Sequence, residues 1–294
     1  MAMTTANGIE IYYETFGDPL DPAMLLVNGF TSQMTGFDAA MCERFAARGR
    51  FVVRYDNRDV GLSTKMSGGE KLLSSVLAAN AGKGEMPSLP YLLSDMAADG
   101  MALLTALGID RAHIAGASMG GMIVQTMAIN HPDRVMTLTS IMSNTGEPEF
   151  GRAAPEAMEA LTAAPTSVRS DYIEQSGAGR KIWSSRRYFD DQLERARIAR
   201  DFDRSFYPDG WNRQFLAIRG SGSRADGLRA LKTPTLVIHG RDDTLITLSG
   251  GERTAELVQG ASLLVLNDMG HDMPIPLWPT LIDAIISHQS NARA

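Results

Sequence analysis

The 294-residue chain is 44% hydrophobic and 21% charged, which supplies material for a substantial core and an ordinary solvated surface. Its formal net charge of −6 offers no basic footprint for nucleic acid or an anionic membrane. The single cysteine, Cys42, makes no intrachain disulfide, so nothing points to an oxidising compartment. The first residues show no basic or apolar leader pattern, and no apolar run reaches membrane-spanning length. The expectation is therefore a cytoplasmic protein, monomer or homodimer, with no nucleic-acid or membrane partner.

Residues Gly8–Phe16 alternate in part and end at Gly17-Asp18-Pro19, the pattern of a strand and turn. Met24-Leu25-Leu26-Val27 is a short continuous apolar run, the signature of a strand covered on both faces, and it stops at Asn28-Gly29-Phe30. Phe37, Met41 and Phe45 then recur every four residues, predicting a helix over Gly36–Ala47 that carries Cys42. Another strand, Phe51–Tyr55, leads into Asp56-Asn57-Arg58-Asp59. Residues Met66–Pro90 are rich in Gly, Ser, Ala and Lys and read as a long, partly helical excursion. Leu93, Met96, Ala97, Gly100, Leu104 and Leu107 mark an amphipathic helix closed by Gly108.

The run Ala112-His113-Ile114-Ala115 enters Gly116-Ala117-Ser118-Met119-Gly120-Gly121, and a segment without Gly or Pro follows as far as His131. A strand, a sharp turn and a helix are the context in which G-x-S-x-G has mechanical meaning. The turn exposes the serine at a helix N-terminus, where free N–H groups favour negative charge. Val135–Met142 is a further buried strand. From Glu147 to about Ala230 only helical periodicities occur, and strand patterns return at Thr235–His239 and Ser262–Leu266. A last helix places Trp278, Leu281, Ile282 and Ile285 on one face. Strands alternating with helices predict an α/β fold, a mostly parallel sheet with helices on both faces. The core is expected over 1–146 and 231–294, with 147–230 inserted as a helical cap at the carboxyl edge, where open α/β sheets bind ligands.

A nucleophilic serine needs a base. His113 lies inside a strand, His131 ends a helix, His239 ends a strand and His288 is near the C-terminus. His271, in the loop Met269-Gly270-His271 after the last strand, is the candidate base. Gly240-Arg241-Asp242-Asp243, after the preceding strand, offers two adjacent carboxylates for the acid, and Glu147 is the fallback. The chain order Ser, Asp, His is that of α/β-hydrolases rather than of the unrelated serine proteases.

The elbow, Ile238-His239-Gly240-Arg241-Asp242-Asp243 and Gly270-His271 together resemble the α/β-hydrolase family along nearly the whole chain. The segments Tyr55–Ser63 and Met269-Gly270-His271-Asp272-Met273-Pro274 are similar to a narrower bacterial carboxylesterase group that includes aclacinomycin methylesterase. The family pattern sets the acid three residues after the glycine, which implies Asp243. It also implies an oxyanion hole from the main-chain N–H groups of Phe30 and Met119. Where many members have His-Gly after the first buried strand, this chain has Asn28-Gly29, and the Asn28 amide is expected to brace the loop. Asp59 replaces a frequent glycine, and Asp56, Arg58 and Asp59 are expected to form a structural network beneath that loop.

The resemblance implies a serine hydrolase that cleaves small-to-medium apolar carboxylic esters through an acyl-enzyme. Asn28, Met142, Trp183, Trp211 and Met273 are candidate substrate-contacting residues. No cofactor and no metal is expected, since there is no P-loop, dinucleotide fingerprint or Cys/His cluster. The same three side chains could serve lactone opening, carbon–carbon bond hydrolysis or perhydrolysis, or remain in a slow-turnover ligand sensor.

Overall fold

The computed structural model describes residues 2–292, and its apolar runs line up as one eight-stranded sheet. In chain order the first elements are β1 (Ala2–Ala6), β2 (Ile9–Phe16), β3 (Ala23–Val27), α1 (Ala39–Ala46), β4 (Phe51–Tyr55), α2 (Leu73–Asn80), α3 (Leu93–Ala106), β5 (Ala112–Ala117), α4 (Met119–Asn130) and β6 (Val135–Ile141). Five helices come next: α5 (Pro155–Thr162), α6 (Arg169–Trp183), α7 (Asp191–Arg204), α8 (Gly210–Gly220) and α9 (Ala225–Ala230). The chain then rejoins the sheet through β7 (Thr235–Gly240), α10 (Ser249–Leu257), β8 (Ser262–Leu266) and α11 (Trp278–Asn291).

The strand order is β1-β2-β4-β3-β5-β6-β7-β8. The pairings of β2 with β1 and with β4 are antiparallel, and all the others are parallel. The two-residue period of a strand explains why β3 reads as an unbroken apolar run and why every residue of β5 is buried. Leu25, Val27 and Ile114 face one layer with Met96 and Leu103 of α3 and Ile123 and Met127 of α4. Met24, Leu26 and Ala115 face the other, with Met41 and Phe45 of α1 and Leu281 and Ile285 of α11. A sheet sandwiched between two helical layers must bury alternate residues in opposite directions, so both sets are apolar.

Two local details, the start of α1 and the presence of β1, differ from the sequence expectation. The predicted helix over Gly36–Ala47 begins later, because the Asp38 carboxylate accepts from Ala40 N at 3.0 Å and caps α1 at Ala39. Phe37 is still buried but sits ahead of the helix. The excursion over 66–90 is partly helical as expected, carrying α2, and β1 is an edge strand that the sequence pattern does not announce. The predicted strand over Ser262–Leu266 is the opposite edge, so Ser262 and Leu263 are exposed. Gly108 takes a φ of 71°, as the end of α3 requires.

Candidate active site

Parallel pairing sends β3, β5, β7 and β8 in one direction, so the loops after them meet at one edge of the sheet. Phe30 follows β3, Ser118 follows β5, Asp243 follows β7 and His271 follows β8. Ser118 links β5 to α4 with φ 58° and ψ −122°, a conformation costing a non-glycine residue about 1–3 kcal/mol. Neighbouring contacts impose it. Ser118 N–H donates to Ile141 O at 2.9 Å, and Ser143 Oγ donates to Ser118 O at 2.8 Å. The elbow glycines allow the close approach: a Cβ on Gly116 would collide with Gly120 O, and one on Gly120 with Val27 O.

The strained turn lifts the Ser118 hydroxyl toward the imidazole, with Oγ 2.9 Å from His271 Nε2. His271 Nδ1 lies 2.7 Å from Asp243 Oδ2. The other carboxylate oxygen, Oδ1, accepts from Leu245 N and Ile246 N, both at 2.9 Å. Those two donors lock the carboxylate's orientation. Asp243 is 4% exposed, whereas Asp242 faces solvent, so it is Asp243 that the structure brings to His271. Glu147 is engaged elsewhere: Arg253 donates to both its oxygens at 2.9 Å, holding the carboxyl below the usual range.

Three other histidines have structural surroundings. His239 Nε2 bonds Ile246 O at 2.8 Å, and burial lowers its pKa. His113 Nδ1 is 2.9 Å from Thr137 Oγ1, and burial also lowers the pKa of His288. The His271 loop is fixed from outside the sheet: His271 N–H donates to Trp183 O, at the end of α6, at 2.6 Å. Asp272 Oδ1 accepts from Ser185 N at 2.9 Å and from Gly270 N at 3.2 Å, and burial pushes its pKa up to about 6.

Neither Phe30 N–H nor Met119 N–H donates to a protein acceptor among the described residues. Met119 opens α4, whose N-terminal dipole is positive at this point. The loop carrying Phe30 is held by residues that lie far away in sequence. Thr31 N–H donates to Gln214 Oε1 of α8 at 2.8 Å, and Gln214 Nε2 donates to Arg58 O at 2.9 Å. Asp56 accepts from Met34 N at 2.7 Å, Leu62 N at 2.8 Å and Arg204 of α7 at 2.7 Å. Asp59 receives Arg213 of α8 at 2.9 and 3.1 Å and Tyr91 Oη at 2.6 Å. Arg58 pairs with Asp99. The expected network of Asp56, Arg58 and Asp59 thus reaches up into the helices between β6 and β7.

Asn28 needs a correction. Its side-chain Nδ2 is buried with no protein acceptor among the described residues, so the amide does not brace the loop. The bracing runs through its backbone carbonyl, which accepts from Asn57 Nδ2 at 3.1 Å.

Ser118 and His271 open onto a cavity of about 1000 Å³. Asn28, Met142, Trp183, Trp211 and Met273 all line it, as do Phe30 and Met119. Trp211 stacks on Phe215 at 5.0 Å between ring centroids and meets Phe30 edge-on at 5.7 Å. Among the described residues, no group of three or more His, Cys, Asp or Glu side chains could hold a metal ion. No described helix is long and apolar enough to cross a membrane.

A family model described as the alpha/beta hydrolase fold matches residues 22–276. The chain belongs to the α/β-hydrolase fold family. Among its relatives, a rhodomycin D methylesterase of a Streptomyces species is 24% identical, over 97% of either chain. A 3-oxoadipate enol-lactonase of Acinetobacter baylyi is 25% identical, over 89% of this α/β-hydrolase and 86% of the relative. A meta-cleavage product hydrolase from Pseudomonas fluorescens superposes with a TM-score of 0.76 at 19% identity, covering 99% of this chain and 98% of that one, a likeness of fold.

Sequence reasoning missed Gln214, Arg204 and Arg213, which tie Thr31, Asp56 and Asp59 to the helices between β6 and β7. Gln214 and Thr31 are 183 residues apart. No local spacing announces a hydrogen bond of that range.

Proposed function

We propose that this α/β-hydrolase is a serine carboxylic ester hydrolase, with Ser118 as nucleophile, His271 as general base and acid, and Asp243 as the group that orients His271. The observation carrying the reading is the continuous relay, 2.9 Å from Ser118 Oγ to Nε2 and 2.7 Å from Nδ1 to Asp243, opening onto the cavity. With Nδ1–H donated to Asp243, Nε2 is left as the acceptor facing Ser118 Oγ.

In the acylation step Oγ bonds to the ester carbonyl carbon as its proton passes to Nε2. The carbonyl oxygen takes the negative charge and accepts from Phe30 N–H and Met119 N–H. Each such donor is worth about 3 kcal/mol in comparable sites. Collapse of the adduct breaks the carbon–alkoxide bond, and Nε2–H protonates the departing alcohol. A water molecule, deprotonated by His271, then repeats the sequence on the acyl-serine and frees the acid.

The helices over 147–230 act as a cap, and the walls they share with Met142 and Met273 suit small-to-medium esters with an apolar or aromatic acyl part. A small alcohol such as methanol fits as leaving group, in line with the methylesterase relative. The lactonase relative favours lactone opening as a second reaction of the same site. We place the protein in the cytoplasm, acting on a small molecule as a monomer or homodimer. Burial pushes its one thiol, Cys42, up to about 12, which suits an inert core position.

The test is covalent. An alkyl p-nitrophenyl phosphonate should inactivate the wild type with one equivalent bound at Ser118, located by peptide mass spectrometry. Ser118→Ala should lose at least a thousandfold in kcat/KM on p-nitrophenyl butyrate. Labelling elsewhere, or retention of a tenth of the activity, overturns the assignment.

A further inference from the structure

Among the buried arginines, Arg54 pairs with Glu14, Arg58 with Asp99 and Arg213 with Asp59, and Arg50 is bound by Gln289, Ser290 and Gly49 O. Arg224 is matched to no carboxylate among the described residues. It is 8% exposed and sits on the connection between α8 and α9. Its Nε donates to Gln125 Oε1 and its Nη2 to Asn144 O, both at 2.9 Å and both neutral acceptors. Among the described residues Arg224 makes no ion pair, and its Nη1 has no protein acceptor.

The guanidinium is also held in place. Gln125 Nε2 donates to Ser140 Oγ at 3.0 Å, which fixes the amide so that its oxygen is presented to Arg224. Arg224 N–H donates to Thr145 O at 2.8 Å. Burial lowers its pKa to about 10, so the side chain stays cationic at neutral pH. An uncompensated buried charge opposes folding unless a partner answers it. Arg224 lines the same cavity as Ser118, where such a partner can arrive with the substrate.

We propose that Arg224 is a fixed anion receptor in this cavity and that the substrate ester carries a carboxylate which pairs with Nη1. The inference rests on the esterase reading and narrows its substrate class. Gln125, which holds the guanidinium, stands seven residues along α4 from Ser118, a backbone rise of roughly 10 Å. The carboxylate therefore belongs several bonds from the scissile carbonyl, as in the half-ester of a dicarboxylic acid.

The experiment compares monomethyl suberate with dimethyl suberate in a pH-stat assay at pH 7.5. The wild type should favour the half-ester at least tenfold in kcat/KM, through KM, since a hydrogen bond between two charged groups is worth that much or more. Arg224→Gln should erase the preference, and Arg224→Lys should restore part of it. A wild-type ratio of one or below, or a ratio unmoved in Arg224→Gln, overturns the receptor. Should the variants not fold, competitive inhibition of the wild type on p-nitrophenyl butyrate decides it. Octanoate should bind at least tenfold more tightly than octanamide, and equal binding rejects the proposal. If no ester is turned over at all, the esterase reading fails, and calorimetric titration of the wild type with suberate tests the receptor independently: measurable binding supports it and none refutes it.

Discussion

Asp243→Asn tests the orienting role proposed for this carboxylate, because the structure dictates how the amide must lie. Asp243 Oδ1 accepts two backbone N–H groups, from Leu245 and Ile246. An amide NH2 placed there would face two donors, so the asparagine keeps its oxygen on that side. Its NH2 then points at His271 Nδ1, 2.7 Å away in the wild type. Nδ1 must accept, which moves the ring proton to Nε2. Nε2–H now faces Ser118 Oγ and cannot take its proton. The shape of the site survives while the relay runs in the wrong tautomer. A loss of about 10⁴ in kcat is expected, as for the equivalent change in other Ser-His-Asp sites, equivalent to about 5–6 kcal/mol of transition-state stabilisation. The assay is steady-state hydrolysis of p-nitrophenyl butyrate, with thermal unfolding followed in parallel because Asp243 is buried. Asp242→Asn, at an exposed position, should stay within twofold of wild type. If Asp243→Asn folds normally and keeps a tenth of the activity, Asp243 does not set the tautomer and the argument fails.

Gly120→Ala should abolish activity and lower the melting temperature, since the new Cβ meets the backbone oxygen of Val27, which cannot rotate away; unchanged stability would show that the elbow has slack. Trp211→Ala removes the ring that packs against Phe30 and Phe215, so KM for a p-nitrophenyl benzoate should rise about two- to tenfold, from the roughly 0.5–1.5 kcal/mol of an aromatic contact, and more than for the acetate; equal changes would deny it a selective role. For Asp272, burial holds the folded carboxyl up to about 6 against 3.8 in the open chain. Between those values the folded state keeps a proton that the unfolded state has lost, so this group's contribution lowers stability as pH rises from about 4 to about 6 and then levels off. Asp272→Asn keeps an oxygen for Ser185 N and Gly270 N, so its stability advantage over wild type should grow across that window by up to roughly 3 kcal/mol; a pH-independent difference in urea midpoints would reject this.

The legible parts of the chain were those fixed by short-range pattern. Short runs dominated by apolar residues announce strands covered on both faces, so β3, β5, β6 and β7 could be read directly even with His113, Thr137 and Thr139 inside them. The elbow and the His271 loop were readable because a sharp turn and a loop after a strand leave local marks. The choice of Asp243 over Asp242 came from resemblance alone, and its physical reason is the pair of N–H donors from Leu245 and Ile246. What escaped depended on distant partners. Asp59 reads as an isolated charge until Arg213 arrives from α8, and Arg224 reads as an ordinary cation until its missing carboxylate is noticed. β1 was missed because an edge strand with one protected face needs little hydrophobicity, and Ala-Met-Thr-Thr-Ala has little.

The hydrogen bond from His271 N–H to Trp183 O places one end of α6 and the base of the relay on the same mooring. Gly270 adds to it, since its lack of a side chain lets Trp183 and Ser184 pack directly on the loop. The His271 loop therefore hangs between two supports, the sheet through β8 and the end of α6 through Trp183 and Ser184, so a helix outside the sheet shares in setting where the imidazole stands.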